Sequence, residues 1–170
     1  MPELQLLRAD HAAAIRAFEV ANRAWFATSI SDRGDAYFEH FTAQYAALLA
    51  DQDAGDGAYY ALVDEDGSVL GRFNLAFLGD GVATLGYRVA QRATGRGLAT
   101  ATVRDLCRLA ASQHRVRTLR AATSTANAAS RQVLLNAGFT EAGPAEPSDL
   151  GGKQGAWYQR ELVPGPPSGP

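Results

Sequence analysis

Gly95 and Gly97 stand where a β-branched and aromatic stretch, Tyr87-Arg88-Val89, gives way to a long Ala/Leu/Arg run opening with Leu98-Ala99-Thr100. That order reads as strand, loop, helix. Such a loop points successive backbone N–H groups at one place, and the helix behind it adds four unpaired amides and the positive end of its dipole. The chemistry it suits is the holding of an anion, above all a phosphate. Glycine serves there because no Cβ intervenes where main chain meets phosphate, and because such loops use backbone angles closed to most residues. Arg88, Arg92 and Arg96 place positive charge at the mouth.

The spacing excludes two common phosphate loops. There is no Gly-x-x-x-x-Gly-Lys-Ser/Thr, and Thr100 occupies the place of the third glycine in a dinucleotide Gly-x-Gly-x-x-Gly. Arg92-x-x-Gly95-x-Gly97 followed by Leu98-Ala99 instead resembles the pyrophosphate loop of the GNAT N-acetyltransferases, which bind acetyl-CoA. A second block, Asn127-Ala-Ala-Ser130-Arg-Gln-Val-Leu134-Leu-Asn-Ala-Gly138-Phe139, resembles another segment of that family, in the right order and at the right distance. With Leu85-Gly86-Tyr87-Arg88-Val89, the likeness is nearest to the branch containing RimJ and RimL, the ribosomal-protein N-terminal acetyltransferases, and extends more weakly over nearly the whole chain.

The resemblance implies acetyl-CoA as cosubstrate, no metal, and transfer of the acetyl group to a primary amine, first of all the α-amine of a protein or peptide N-terminus. A small-molecule amine (antibiotic, polyamine or amino acid) is the alternative acceptor, and an acyl-CoA-binding module without catalysis is the alternative of another class. Cofactor contacts are implied at Val89, Arg92, Thr94, Gly95, Arg96, Gly97, Leu98, Ala99, Thr100, Asn127 and Ser130. The family lays the acyl chain between two diverging strands, here ending near Val89 and Thr123, with a strand N–H around Val89 polarising the thioester. Asn127 and Ser130 match positions near the CoA sulfur and are the implied catalytic pair, Ser130 giving a proton to the departing thiolate. Asn127 also fits a helix N-cap.

The chain departs from the family at Thr84, where many relatives carry a glutamate facing the acceptor amine. Threonine is no base, which leaves Glu19, Glu39, His40 and Tyr158 as weak candidates, or no strong base at all. An α-amine of pKa near 8 is already about 10% neutral at pH 7, whereas a lysine near 10.4 is neutral to only about 0.04%. A missing base therefore mildly favours an α-amine or another weakly basic amine.

The elements that must position these groups follow from periodicity. Leu4 to Leu7 reads as a strand. Asp10 stands as N-cap of a helix carrying Ala14, Ile15 and Phe18, with His11 exposed in its first turn. Trp25 to Asp35 reads as a loop, which in the family covers the acceptor groove. Tyr37 to Leu49 reads as a helix with His40 at its surface or rim. Ala58–Val63, Val69–Leu78 and Val82–Val89 form three antiparallel strands joined by Asp64-Glu-Asp-Gly67 and Gly79-Asp-Gly81 turns. The helix after the glycine loop runs to about His114 with Cys107 buried, and strand Arg117–Thr123 follows, so the strands flanking this helix are parallel. Asn127–Ala137 is a helix closed by Gly138, and strands begin at Phe139 and run from Trp157 to Val163.

The expectation is an α+β domain over residues 1–163, with a GNAT-like mixed, mainly antiparallel sheet flanked by helices and the cofactor at its parallel strand pair. The Pro/Gly-rich tail 164–170 is a disordered extension or packing arm. With 170 residues, 46% of them hydrophobic and 20% charged, the chain suits one globular domain. A net charge of −2 gives no ground for nucleic-acid or membrane binding. A single cysteine excludes an internal disulfide, and with no signal peptide or membrane span legible the expected location is cytoplasmic, as a monomer or homodimer.

Overall fold

The computed structural model describes residues 1–162; Val163 and the tail 164–170 lie outside the described residues. The chain divides into two units, Met1–Leu75 with Tyr87–Arg96, and Ala76–Gly86 with the chain from Gly97 onward. Among the described residues seven strands, β1 (Glu3–Leu6), β2 (Gly57–Val63), β3 (Val69–Gly79), β4 (Val82–Val89), β5 (Thr118–Ser124), β6 (Thr140–Ala145) and β7 (Gly155–Glu161), hydrogen-bond in the order β1-β2-β3-β4-β5-β7-β6, and their one parallel pair, β4 with β5, lies where the sequence places it.

The first unit holds β1 (Glu3–Leu6), α1 (Ala12–Ala21), α2 (Arg23–Ala27), α3 (Asp35–Glu39), α4 (Phe41–Asp53) and β2 (Gly57–Val63). It also holds most of β3 (Val69–Gly79) and the end of β4 (Val82–Val89). Every residue of β2 is buried, which is why its pattern is a continuous apolar run rather than an alternation. Along β3, Phe73 and Leu75 are fully buried, and Phe73 stacks on Tyr87 of β4 at 5.7 Å. Arg72 and Asn74 alternate with them onto the opposite face. Gln52 ties α4 to β2 and to the residue just after β1, its Nε2 donating to the Leu7 carbonyl at 3.0 Å and its Oε1 accepting from the Tyr59 amide at 2.8 Å.

Three expectations are corrected in this unit. Asp10 does not cap the first helix; a 3-10 turn, Ala9–His11, precedes α1, and His11 Nδ1 accepts from the Arg8 amide at 2.9 Å. His11 is accordingly buried, not exposed, because its ring fills the capping position. Trp25 and Phe26 lie on the short helix α2, with Phe26 buried, so the irregular stretch begins only after Ala27. His40, exposed as expected, separates α3 from α4.

The second unit holds α5 (Leu98–His114), β5 (Thr118–Ser124), α6 (Ala128–Asn136), β6 (Thr140–Ala145) and β7 (Gly155–Glu161). Helix α5 buries Thr102, Val103, Leu106, Cys107 and Ala110, the face its sequence spacing marks, and burial raises the Cys107 thiol pKa. Strand β7 ends at Glu161 rather than Val163. The parallel register runs Val82↔Thr118, Ala83↔Leu119, Thr84↔Arg120. On its other side β5 pairs with β7 along its whole length, from Thr118↔Glu161 to Ser124↔Gly155. Among the described residues no helix is long and apolar enough to cross a membrane.

With Nδ1 accepting, His11 Nε2 is the protonated nitrogen, and it donates to Gln5 Oε1 at 3.0 Å. Burial first, then the charge of Arg8, holds its pKa below the usual 6.5, against a smaller opposing pull from Asp10. The unfolded chain therefore binds this proton at higher pH than the folded one, and the stability the neutral ring contributes is lost as pH falls below about 6.5. Urea unfolding at pH 7.5 and 5.5 should show a drop in stability, and His11→Gln should make that drop smaller. His114, also shifted down by burial, contributes equally to both proteins.

Candidate active site

The anion-holding loop is built from backbone. After Val89 the chain makes a 3-10 turn, Gln91–Ala93, tied by the Thr94 hydroxyl donating to the Gln91 carbonyl at 2.7 Å. Gly95 and Gly97 then adopt φ of 78° and 72°, the left-handed region that disfavours a side chain. Helix α5 starts at Leu98 with no side chain capping it, and its first internal bond is from the Ala101 amide to the Gly97 carbonyl at 3.1 Å. The amides of Leu98, Ala99 and Thr100 precede that bond and have no acceptor within the helix. A Cβ built on Gly95 or Gly97 meets nothing within 4 Å. The loop is thus an open donor cradle at a helix N-terminus, which fits a pyrophosphate. Arg92 and Arg96 are exposed, Arg92 donating to Ser68 Oγ at 2.8 Å.

Within the second unit, β5 carries the chain to Asn127, whose Oδ1 accepts from the Ser130 amide at 3.2 Å. Asn127 is therefore the N-cap of α6, and through that bond it fixes Ser130 in the helix's first turn. Ser130 is half-buried. The Tyr158 hydroxyl oxygen accepts from Arg131 Nε at 3.0 Å, so this candidate base is buried against a guanidinium.

In the first unit, Glu19 is buried with three arginines on it. Arg33 donates Nε to Oε2 and Nη2 to Oε1, both at 3.0 Å; Arg72 Nη1 donates to Oε1 at 3.0 Å, and Arg88 Nη1 to Oε2 at 3.2 Å. Arg88 also lies 4.8 Å over the Phe26 ring, and Arg72 Nη1 donates to the Tyr37 hydroxyl at 3.2 Å. Burial alone would raise the Glu19 pKa, but the Arg33 hydrogen bonds and the charges of Arg88, Arg33 and Arg72 carry it below its usual value. Glu19 cannot act as a general base at neutral pH, which corrects one expectation. Arg88 is not part of an open basic mouth, which corrects another. The sequence held a signal for this cluster: Glu19 falls four residues after Ile15 on the apolar stripe of α1, and Arg72 interrupts the apolar run of β3, and charges at core positions must be paired.

If the carboxylate is structural in this way, Glu19→Gln leaves three cations without their anion. Denaturant unfolding should show a loss of about 3–5 kcal/mol, the range for breaking a buried ion pair on one side.

No curated protein sequence matches the chain. Among solved structures it resembles the ribosomal-protein-S5-alanine acetyltransferase of Vibrio fischeri at 18% identity and TM-score 0.85, covering 95% of this chain and 93% of that one. RimJ of Mycobacterium smegmatis, in complex with a CoA disulfide, is similar at 21% identity and TM-score 0.81, over 93% and 80%. Spermidine N-acetyltransferase of Vibrio cholerae, in complex with CoA and spermine, is similar at 14% identity and TM-score 0.76, over 95% of each. At such identities the likeness is one of fold. The family model described as an acetyltransferase (GNAT) domain matches residues 3–140, from β1 to the start of β6 and across both the glycine loop and the Asn127 helix. The chain belongs to the GNAT family and is an acetyl-CoA-dependent N-acetyltransferase.

Proposed function

We propose that this enzyme acetylates an α-amine, most simply the N-terminus of a protein or peptide. The observation that carries the choice of acceptor is the saturation of Glu19 by Arg33, Arg72 and Arg88. It removes the only buried carboxylate among the candidate bases. Tyr158 accepts from Arg131, Glu39 and His40 lie exposed where α3 meets α4, and Thr84 has no basic group. An enzyme without a carboxylate base draws on the neutral fraction of its acceptor, which is large for an α-amine and minute for a lysine. The fold does not choose, since ribosomal-protein and spermidine acetyltransferases share it.

On this reading the amides of Leu98, Ala99 and Thr100 hold the CoA pyrophosphate, with Gly95 and Gly97 leaving room for it and Arg92, Thr94 and Arg96 framing the loop. The Val89 N–H polarises the thioester carbonyl. Ser130, fixed by the Asn127 cap, supplies a proton to the departing thiolate.

Two measurements test this. Valine at position 97 would strain the left-handed backbone as well as fill the space, so Gly97→Asn is the better probe, since asparagine tolerates that conformation. Calorimetric titration of folded Gly97→Asn with CoA should show affinity reduced by about tenfold or more, a loss of about 1.4 kcal/mol. Unchanged affinity would remove the loop from the cofactor site. For the acceptor, kcat/KM on a peptide with a free N-terminus should climb with pH and level off near 8, whereas on a peptide offering only a lysine side chain it should keep rising towards about 10. A plateau beginning below about pH 7 would reveal a base and end the case for an α-amine.

A further inference from the structure

The end of β4 is gripped on both sides of Val89 by one face of α1. Ala90 N–H donates to the Leu70 carbonyl of β3 at 2.8 Å. Amides along an extended strand alternate between its two edges, so the Val89 N–H, one residue earlier, points to the edge away from β3. The register that pairs β4 with β5 runs from Val82 to Thr84 and stops short of it. Before Val89, Arg88 Nη1 donates to Glu19 Oε2 at 3.2 Å, and the guanidinium lies 4.8 Å over the Phe26 ring. After it, the Gln91 amide donates to Asn22 Oδ1 at 3.0 Å. Glu19 and Asn22 are three residues apart, so they project from the same side of the helix end. Gln91 opens the 3-10 turn, and the first amide of such a turn has no acceptor inside it, so Asn22 sets the direction in which the chain leaves β4. Asn22 is itself fixed where α1 gives way to α2. Its Nδ2 donates to the Phe18 carbonyl at 2.9 Å, and its carbonyl accepts from the Phe26 amide at 2.8 Å.

We propose that Asn22 is a positioning residue for acetyl transfer: by holding the Gln91 amide, while Glu19 holds Arg88 one helical turn earlier, it aims the Val89 N–H at the thioester carbonyl. The role rests on the reading of Val89 as the donor to that carbonyl and deepens it. A donor stabilises the developing oxyanion only if it is already within hydrogen-bond distance of where that charge appears, so a small rotation of one peptide plane is enough to weaken it. The two grips differ in kind. Glu19 is the buried centre of an ion cluster and takes hold of a side chain, whereas Asn22 makes one neutral, half-buried bond to the main chain itself. Such a bond adds little to stability, so its loss is read in the chemistry before it is read in the fold. The grip on CoA lies with the amides of Leu98, Ala99 and Thr100, so a misdirected Val89 N–H lowers kcat and leaves CoA affinity in place.

The test follows the thioester itself. Acetyl-CoA isotope-labelled at its carbonyl is bound without acceptor, and the infrared stretch of that carbonyl is recorded for the wild-type chain, Asn22→Ala and Asn22→Asp. The stretch should move to lower frequency on binding to the wild-type chain, and by about half as much or less in Asn22→Ala. On the acceptor turned over fastest, kcat of Asn22→Ala should fall about tenfold, less than the roughly 10²–10³ of deleting an oxyanion donor outright, with CoA affinity by calorimetry unchanged. Asn22→Asp keeps an oxygen for the Gln91 amide and loses the donor to Phe18, so it should restore both the shift and kcat; a residue needed only to join α1 to α2 would not be rescued in this way. If Asn22→Ala does not fold, Gln91→Pro breaks the same bond from the other side and is read by the same two measurements. Proline is tolerated at the first position of a helical turn, and Ala90, at ψ 143°, already has the extended backbone that precedes it. A wild-type shift that Asn22→Ala retains at full kcat overturns the positioning role and leaves the reading of Val89 standing. Loss of CoA affinity in step with kcat makes Asn22 a structural residue and overturns the role as well. The absence of any shift in the wild-type complex ends the reading of Val89 and takes the role of Asn22 with it.

Discussion

The first unit depends on one buried carboxylate. Taking an ion out of water is expensive, several kcal/mol even after relaxation, and that cost is offset only when the ion's lone pairs are filled with good geometry. Glu19 meets this condition with four charged hydrogen bonds, all between 3.0 and 3.2 Å. Their donors come from the loop before α3, from β3 and from β4, so one helix, one loop and two strands share a single electrostatic centre. None of them can shift without exposing a charge to an apolar surrounding. The loop is further held by Arg23, which pairs with both Asp32 and Asp35 at 2.8 Å, although these exposed pairs stabilise far less than the buried one.

The glycine loop works by the opposite means. Its donors are main-chain amides, its shape comes from two left-handed glycines, and α5 begins without a capping side chain. Helix α6 shows the alternative, since Asn127 satisfies one of its first amides internally. An uncapped N-terminus is slightly less stable, by about 1 kcal/mol on typical cap replacements, and it stays available to a ligand.

This contrast explains what could be read from the sequence. The loop, the buried face of α5 around Cys107, the parallel pair and the Asn127 cap rest on neighbours in the chain or on regular periodicity, and local residue types specify them. The role of Glu19 rests on partners 14, 53 and 69 residues away, so its position on an apolar stripe can signal that a partner exists without naming it. His11 failed differently. A histidine beside an aspartate in a helix's first turn looks like a surface pair, and only the 3-10 turn ahead of α1 brings its ring nitrogen back onto the Arg8 amide. Asp10 instead turns outward to Arg8 Nε.

Position 84 shows why an absent base is more than one missing side chain. Thr84 closes the parallel register opposite Arg120, whose guanidinium lies 4.6 Å over the Trp157 ring and whose Nε is buried without a partner. The ring contact draws the guanidinium across β5 towards β7, away from the β4 side on which Thr84 lies. Position 84 itself offers only a hydroxyl, and the buried carboxylate of the first unit, Glu19, is held ionised by three guanidinium groups. A carboxylate kept ionised by cations is a weak acceptor for a proton from an amine near pH 7, so the missing glutamate at position 84 is not made good by the one glutamate the first unit buries.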